Sequence, residues 1–247
     1  MKTLKTWMIT AVVALASVAS GVAATPTKPT KAKVTKVSAV NGPRVVRQVR
    51  VPDVVHLNQP PNGVNGFFSD PACAICGTGQ QSIADNFVIN EPGGAFRLEQ
   101  IDMWGGYFPT NTANTTDNFQ VLIHNDAGGV PGTVVFSLSG IQATNRVQTG
   151  VIVFGVNEWQ YTFVLAAQPV LPNGTYWLEI IDSTSANPSG DDFFWETGDN
   201  DPTHGLPDSV FAVEAPGVTW NPNGGFDLSV QFNGTSVPVE LQGFSIE

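Results

Sequence analysis

From Asp53 onward, apolar side chains recur at every second residue in short runs, and this period of two decides what the chain can fold into. In Phe119-Gln-Val-Leu-Ile123 the residues Phe119, Val121 and Ile123 share one face. In Trp159-Gln-Tyr-Thr-Phe-Val-Leu165 the residues Trp159, Tyr161, Phe163 and Leu165 do the same. Alternation of this kind marks a half-buried strand. Further strands are expected at 97–104, 133–138, 151–154, 175–181, 192–196, 209–213, 228–232 and 239–246. Asn173-Gly174, Asn223-Gly224 and Asn233-Gly234 supply the positive φ that tight hairpins need. No segment carries a sustained helical stripe with caps, and 25 glycines and 18 prolines punctuate the chain. The expected fold is all-β: two packed antiparallel sheets forming one β-sandwich over residues 53–247, closed as a jelly roll.

Charge divides the chain in two. Residues 1–52 hold nine Lys and Arg and no acid, whereas residues 53–247 hold two bases and 21 acids, a formal charge of −19. Lys2 and Lys5 precede the uncharged run Trp7–Ala19, which ends near small residues at 20–24, the pattern of a secretory signal peptide cleaved after Ala24. A helix that crosses a bilayer takes roughly 20 apolar residues, and this run is shorter, so no transmembrane anchor is expected. Residues 25–52 lack acids and aromatics and are read as a basic linker or arm, either plainly solvated or docked on an anionic envelope polymer or on the acidic face of its own or a neighbouring domain. The expected location is secreted, extracellular or periplasmic. Nucleic acid is excluded as a partner of the acidic domain, because phosphate contacts need basic groups.

Two cysteines occur, Cys73 and Cys76. A zinc site would need two more ligands, and His56, His124 and His204 have no motif spacing to the pair. Haem attachment would need histidine at position 77, which is glycine. A redox-active pair would want a following helix, where Gly77 and Gly79 indicate a loop. The remaining reading is a local disulfide that shapes a loop in an oxidising compartment.

The succession Gln81-Ser-Ile-Ala-Asp-Asn-Phe87, Ile101-Asp-Met-Trp-Gly-Gly-Tyr-Phe108, Gly128-Gly-Val-Pro-Gly-Thr133, Gly174-Thr-Tyr-Trp-Leu-Glu179 and Asp227-Leu-Ser-Val-Gln-Phe232 resembles a largely uncharacterised β-sandwich module of secreted and surface-anchored bacterial proteins. The resemblance spans about residues 62–235. It implies compartment and fold, and it carries over no catalytic residue.

Aromatic residues set beside hydrogen-bonding groups suit a glycan, whose rings offer an apolar face and a rim of hydroxyls. Trp104 follows Gln100 and Asp102 on its own face and runs into Gly105-Gly106-Tyr107, where missing side chains would let a ligand approach. Trp177 alternates onto the same face as Glu179. Trp104, Tyr107, Trp177 and Glu179 are therefore the candidate carbohydrate-binding residues, with core packing as the competing reading. Asp199, Asn200 and Asp201, in a Gly-Pro loop, are candidate ligands for a structural calcium ion, against a plainly solvated acidic loop. No organic cofactor is expected. The leading expectation is a non-catalytic exported protein that binds extracellular carbohydrate, a cell-envelope polymer or a matrix polymer. A structural or adhesive protein that self-associates comes second, and an extracellular glycan hydrolase third. Glu158, Glu179 and Glu196, each adjacent to tryptophan, are the carboxylates such a hydrolase would draw on.

Overall fold

The structure is a computed structural model that describes residues 54–77, 79–206, 210–213, 219–222 and 225–238. The leader, the basic arm, the strand expected at 239–246 and the Asn223-Gly224 turn lie outside the described residues. Among those described there are fifteen strands and no helix. In chain order they are β1 (Val54–Gln59), β2 (Pro61–Phe68), β3 (Gln81–Ile89), β4 (Gly94–Phe108), β5 (Phe119–Asp126), β6 (Pro131–Ile141), β7 (Asn145–Val153) and β8 (Val156–Val164). There follow β9 (Val170–Pro172), β10 (Gly174–Asp182), β11 (Asp192–Gly198), β12 (Val210–Val213), β13 (Asn221–Pro222), β14 (Asp227–Leu228) and β15 (Val230–Pro238).

These strands make two antiparallel sheets packed as a β-sandwich. The larger is organised around β4, the longest strand, which pairs with β15 and then β11 on one side and with β9 and β8 on the other. β1 extends this sheet beyond β15, β2 extends it beyond β11, and β7 extends it beyond β8. The smaller sheet has the order β13-β12-β3-β10-β5-β6.

Alternation explains the core. Ile101, Met103 and Tyr107 of β4, Tyr161 and Phe163 of β8, Phe193 and Trp195 of β11 and Phe232 of β15 point inward. They meet Phe87, Phe119, Val121, Ile123, Leu178 and Ile180 from the smaller sheet. Phe119 sits among Tyr161, Phe163 and Phe193 with centroids 5.0–5.5 Å away and steeply inclined rings, the edge-to-face arrangement aromatic quadrupoles favour.

Two expected hairpin turns do not form. At Asn173-Gly174 the chain passes from β9 of the larger sheet to β10 of the smaller with no positive φ at either residue. Asn233-Gly234 is no hairpin turn: both residues lie inside β15, where the register against β4 shifts by one residue opposite Glu99. A Cβ on Gly234 would stand 2.0 Å from the Arg97 carbonyl oxygen, so the glycine serves a bulge pressed against its neighbour. Positive-φ hairpin turns lie instead at Gly128-Gly129, with φ of 81° and 90°, between β5 and β6, and at Phe154-Gly155, with φ of 53° and 83°, between β7 and β8.

Cys73 and Cys76 form a disulfide. Its loop is pinned from within the sandwich, because the buried Asp192 carboxylate accepts the Ala74 and Ile75 backbone N–H groups at 2.9 Å each.

Candidate functional site

The outward face of the larger sheet places one aromatic side chain among polar ones. With Ile101 and Met103 in the core, alternation sends Gln100, Asp102 and Trp104 of β4 to the opposite face. Cross-strand register then brings further groups beside them: Thr162 and Gln231 flank Asp102, Asn233 pairs with Gln100, and Gln160 pairs with Trp104. Asp102 organises this patch. Its carboxylate accepts the Thr162 hydroxyl at 2.6 Å, the Gln100 amide at 2.8 Å and the Asn233 amide at 3.0 Å. Gln231 in turn donates to the Asn233 side-chain oxygen at 2.9 Å. Trp104, Gln100, Gln160, Thr162 and Gln231 are half-buried, as side chains on an open sheet face are. Of these groups the sequence pointed to Gln100, Asp102 and Trp104. It missed Gln160, Thr162, Gln231 and Asn233, and only the alternation of β8 and β15 hinted at them.

Beyond Gly106 the same face becomes apolar. Phe68, Phe108, Phe154 and Phe194, with Asn65 and Gly66, line a cup of about 220 Å³. The expectation that Gly105 and Gly106 leave room for a ligand is corrected. A Cβ on Gly105 would lie 2.3 Å from the Phe194 carbonyl oxygen, and one on Gly106 would lie 2.9 Å from both the Phe194 ring and the Asn157 carbonyl oxygen. Gly105 admits the backbone of β11, and Gly106 admits the Phe194 ring and the Asn157 carbonyl, beside which the β7–β8 hairpin seats Val153, Val156 and Phe154 against Phe194.

Glu158 and Glu196, also on this face, are 3% and 0% exposed. Glu196 accepts the Gly63 N–H at 2.8 Å. Burial, and then the hydrogen bond and charge of Glu158, push its carboxyl up to about 8. Burial and a neighbouring carboxyl both disfavour a negative charge on Glu196. A substrate would reach them only by displacing the chain that covers them.

The remaining candidates are not brought together. Tyr107 points into the core with no exposed surface, and its hydroxyl donates to Asp182 at 2.7 Å, so it cannot stack on a sugar. Trp177 and Glu179 lie on the other sheet, on the outward side of β10, and each is 1% exposed. Trp177 packs with Ala84 and Trp220 and donates its indole N–H to Asp126 at 2.9 Å. Glu179 accepts the Ser82 hydroxyl and bonds His124 Nε2 at 2.8 Å. Burial pulls the His124 pKa down, but its hydrogen bonds to Glu179 and to the Gly132 carbonyl outweigh this and leave it raised. With the glutamate between serine and histidine, the serine has no imidazole base, so this is no nucleophilic triad.

The 199–201 loop is built on Asp201, whose carboxylate accepts the N–H groups of Asn58, Thr203 and His204 at 2.8–3.2 Å. Those donors hold its pKa below the usual range against the opposing effect of burial. Asp199 and Asn200 are exposed beside it. Among the described residues no group of three or more His, Cys, Asp or Glu side chains is arranged to hold a metal ion. No helix among them is long and apolar enough to cross a membrane.

No protein-family model matches the chain, and neither a curated protein nor a solved structure matches it.

Proposed function

We propose that this chain is an exported, non-catalytic β-sandwich that binds extracellular carbohydrate or matrix polymer on the outward face of its larger sheet, with Trp104 as the stacking platform. The observation that supports this reading is a half-buried indole on an outward sheet face that also carries Gln100, Gln160, Thr162 and Gln231, with Gln160 directly opposite Trp104 and the buried Asp102 tying the patch together. An indole offers its face to the C–H side of a pyranose, while the half-buried amides of Gln100, Gln160 and Gln231 take the hydroxyls. Asp102 already orients three of its neighbours, so little side-chain freedom is left to lose on binding. The open strand geometry suits one section of a linear polymer rather than an enclosed small molecule.

The test is binding of the purified chain to an array of bacterial and plant polysaccharides. Selective retention that persists at high salt is expected, because stacking and neutral hydrogen bonds are weakly screened. Silence across the array, or retention that disappears with salt, overturns the reading.

A further inference from the structure

We propose that the flank of the sandwich formed by β6, β7 and β9 is a self-association surface through which two copies of this chain pair about a two-fold axis, β6 against β6. β6 closes one end of the smaller sheet, and β7 and β9 border the larger sheet on the same flank. Their outer backbone groups have no strand to pair with among the described residues. Monomeric proteins blunt such edges with charge, by keeping them short or with bulges; β6 is bulged at Val135 and Gly140, with the regular stretch Phe136–Ser139 between them. Here β6 runs for eleven residues, Pro-Gly-Thr-Val-Val-Phe-Ser-Leu-Ser-Gly-Ile, without a charge.

The exposed apolar residues gather on the same flank. Val134 (44%), Val135 (51%), Val147 (47%) and Ile152 (60%) lie on β6 and β7, joined by Val164 (56%) and Val170 (47%). An open groove of about 680 Å³, bordered by Val135, Phe136, Val170, Leu171 and Tyr176, runs between the two sheet edges.

Charge singles out a second copy as the occupant. Residues 53–247 carry 21 acids against two bases, so two such bodies repel each other over most of their surface. Residues 127–178, which supply the entire flank, contain one acid, the buried Glu158, and one base, Arg146. Arg146 is already paired with Asp117 at 2.5 Å. This neutral flank is where another acidic copy can approach closely.

The area suffices. Eleven strand residues at about 3.4 Å each, on two layers about 10 Å apart, give a flank of about 37 by 20 Å. That approaches the roughly 800 Å² per partner of a standard stable interface. Antiparallel pairing about a two-fold axis gives each β6 an identical complement and leaves neither edge open.

Sedimentation velocity of the purified chain over a wide concentration range, at low and at high salt, tests this. A monomer–dimer equilibrium that is undiminished or strengthened by salt is expected. The double variant Val135→Lys, Ile152→Lys, both at exposed positions, should raise the dimer Kd by about tenfold or more through like charges facing across the axis, with an unchanged melting curve. Amide hydrogen exchange at β6 should slow as the wild-type dimer forms. A monomer at every concentration, a dimer dispersed by salt, assembly beyond a dimer, or a dimer indifferent to the double variant overturns the proposal. None of these substitutions touches Trp104 or its polar neighbours, so the glycan reading stands or falls separately.

Discussion

Trp104 and Trp177 each lie on the face of their strand opposite the core, and they differ in what the rest of the chain lays over them. The outward position of Trp104 was legible, since Gln100, Asp102 and Trp104 fall on one face by period alone and Ile101 and Met103 go inward. Trp177 obeys the same rule, but Trp220, more than forty residues later, folds against it, and no local periodicity carries that information. Tyr107 falls on the inward face, and the tyrosine completes a buried bond to Asp182. Replacing Trp177 with Ala should therefore act on folding. Loss of a large buried ring costs about 3–5 kcal/mol, and the Asp126 carboxylate loses its indole donor. Chemical denaturation should show this loss while glycan affinity per folded molecule is unchanged; unaltered stability with lost affinity would return Trp177 to the binding site.

At the scale of elements, which segments become strands was readable, because alternation is a local property. Expected strands at 97–104, 119–123, 133–138 and 175–181 all fall inside observed ones. Pairing order was not readable. β4 takes its neighbours from β15, β11, β8 and β9, far apart in sequence, and the polar patch exists only through those registers. Glycines were ambiguous for the same reason: Gly106 looks like vacant space in sequence and is filled in space by the Phe194 ring and by the Asn157 carbonyl just past the tip of the β7–β8 hairpin. Gly106→Ala should push that tip off the sheet, since its Cβ would stand 2.9 Å from the Phe194 ring and the Asn157 carbonyl oxygen. The expected cost is about 1–3 kcal/mol from overpacking, with faster amide exchange confined to residues 153–157. Exchange unchanged there would mean that the hairpin is held by other contacts.

For the whole molecule, the deeply buried Glu196 and Asp182 and the hydrogen-bonded His124 push stability in one direction with pH, against the opposing effect of His204, whose pKa burial lowers. Glu196 is raised from 4.5 to about 8 by burial and by Glu158, and Asp182 is raised from 3.8 to about 7 mainly by burial. Between each unfolded value and its raised folded value the native state holds the extra proton, so stability falls as pH rises through that window. His124, raised above 6.5, contributes stability that is complete below 6.5 and lost as pH climbs through its folded value. The three effects add, and Tm should decline from pH 4.5 to about 8. Glu196→Gln should flatten the decline, because the amide has no proton to lose; a Tm that rises over this interval would contradict the burial of these groups.

On the proposed function, the Trp104 face binds a polysaccharide. Isothermal titration of the best ligand from the array against wild type and Trp104→Ala, each checked by its melting curve, tests it most directly. Loss of one stacking platform is expected to weaken binding by about 1–3 kcal/mol, roughly fivefold to 150-fold, a magnitude typical of aromatic stacking, with the fold intact. Equal affinity in the two proteins would show that the sugar, if bound, is held elsewhere.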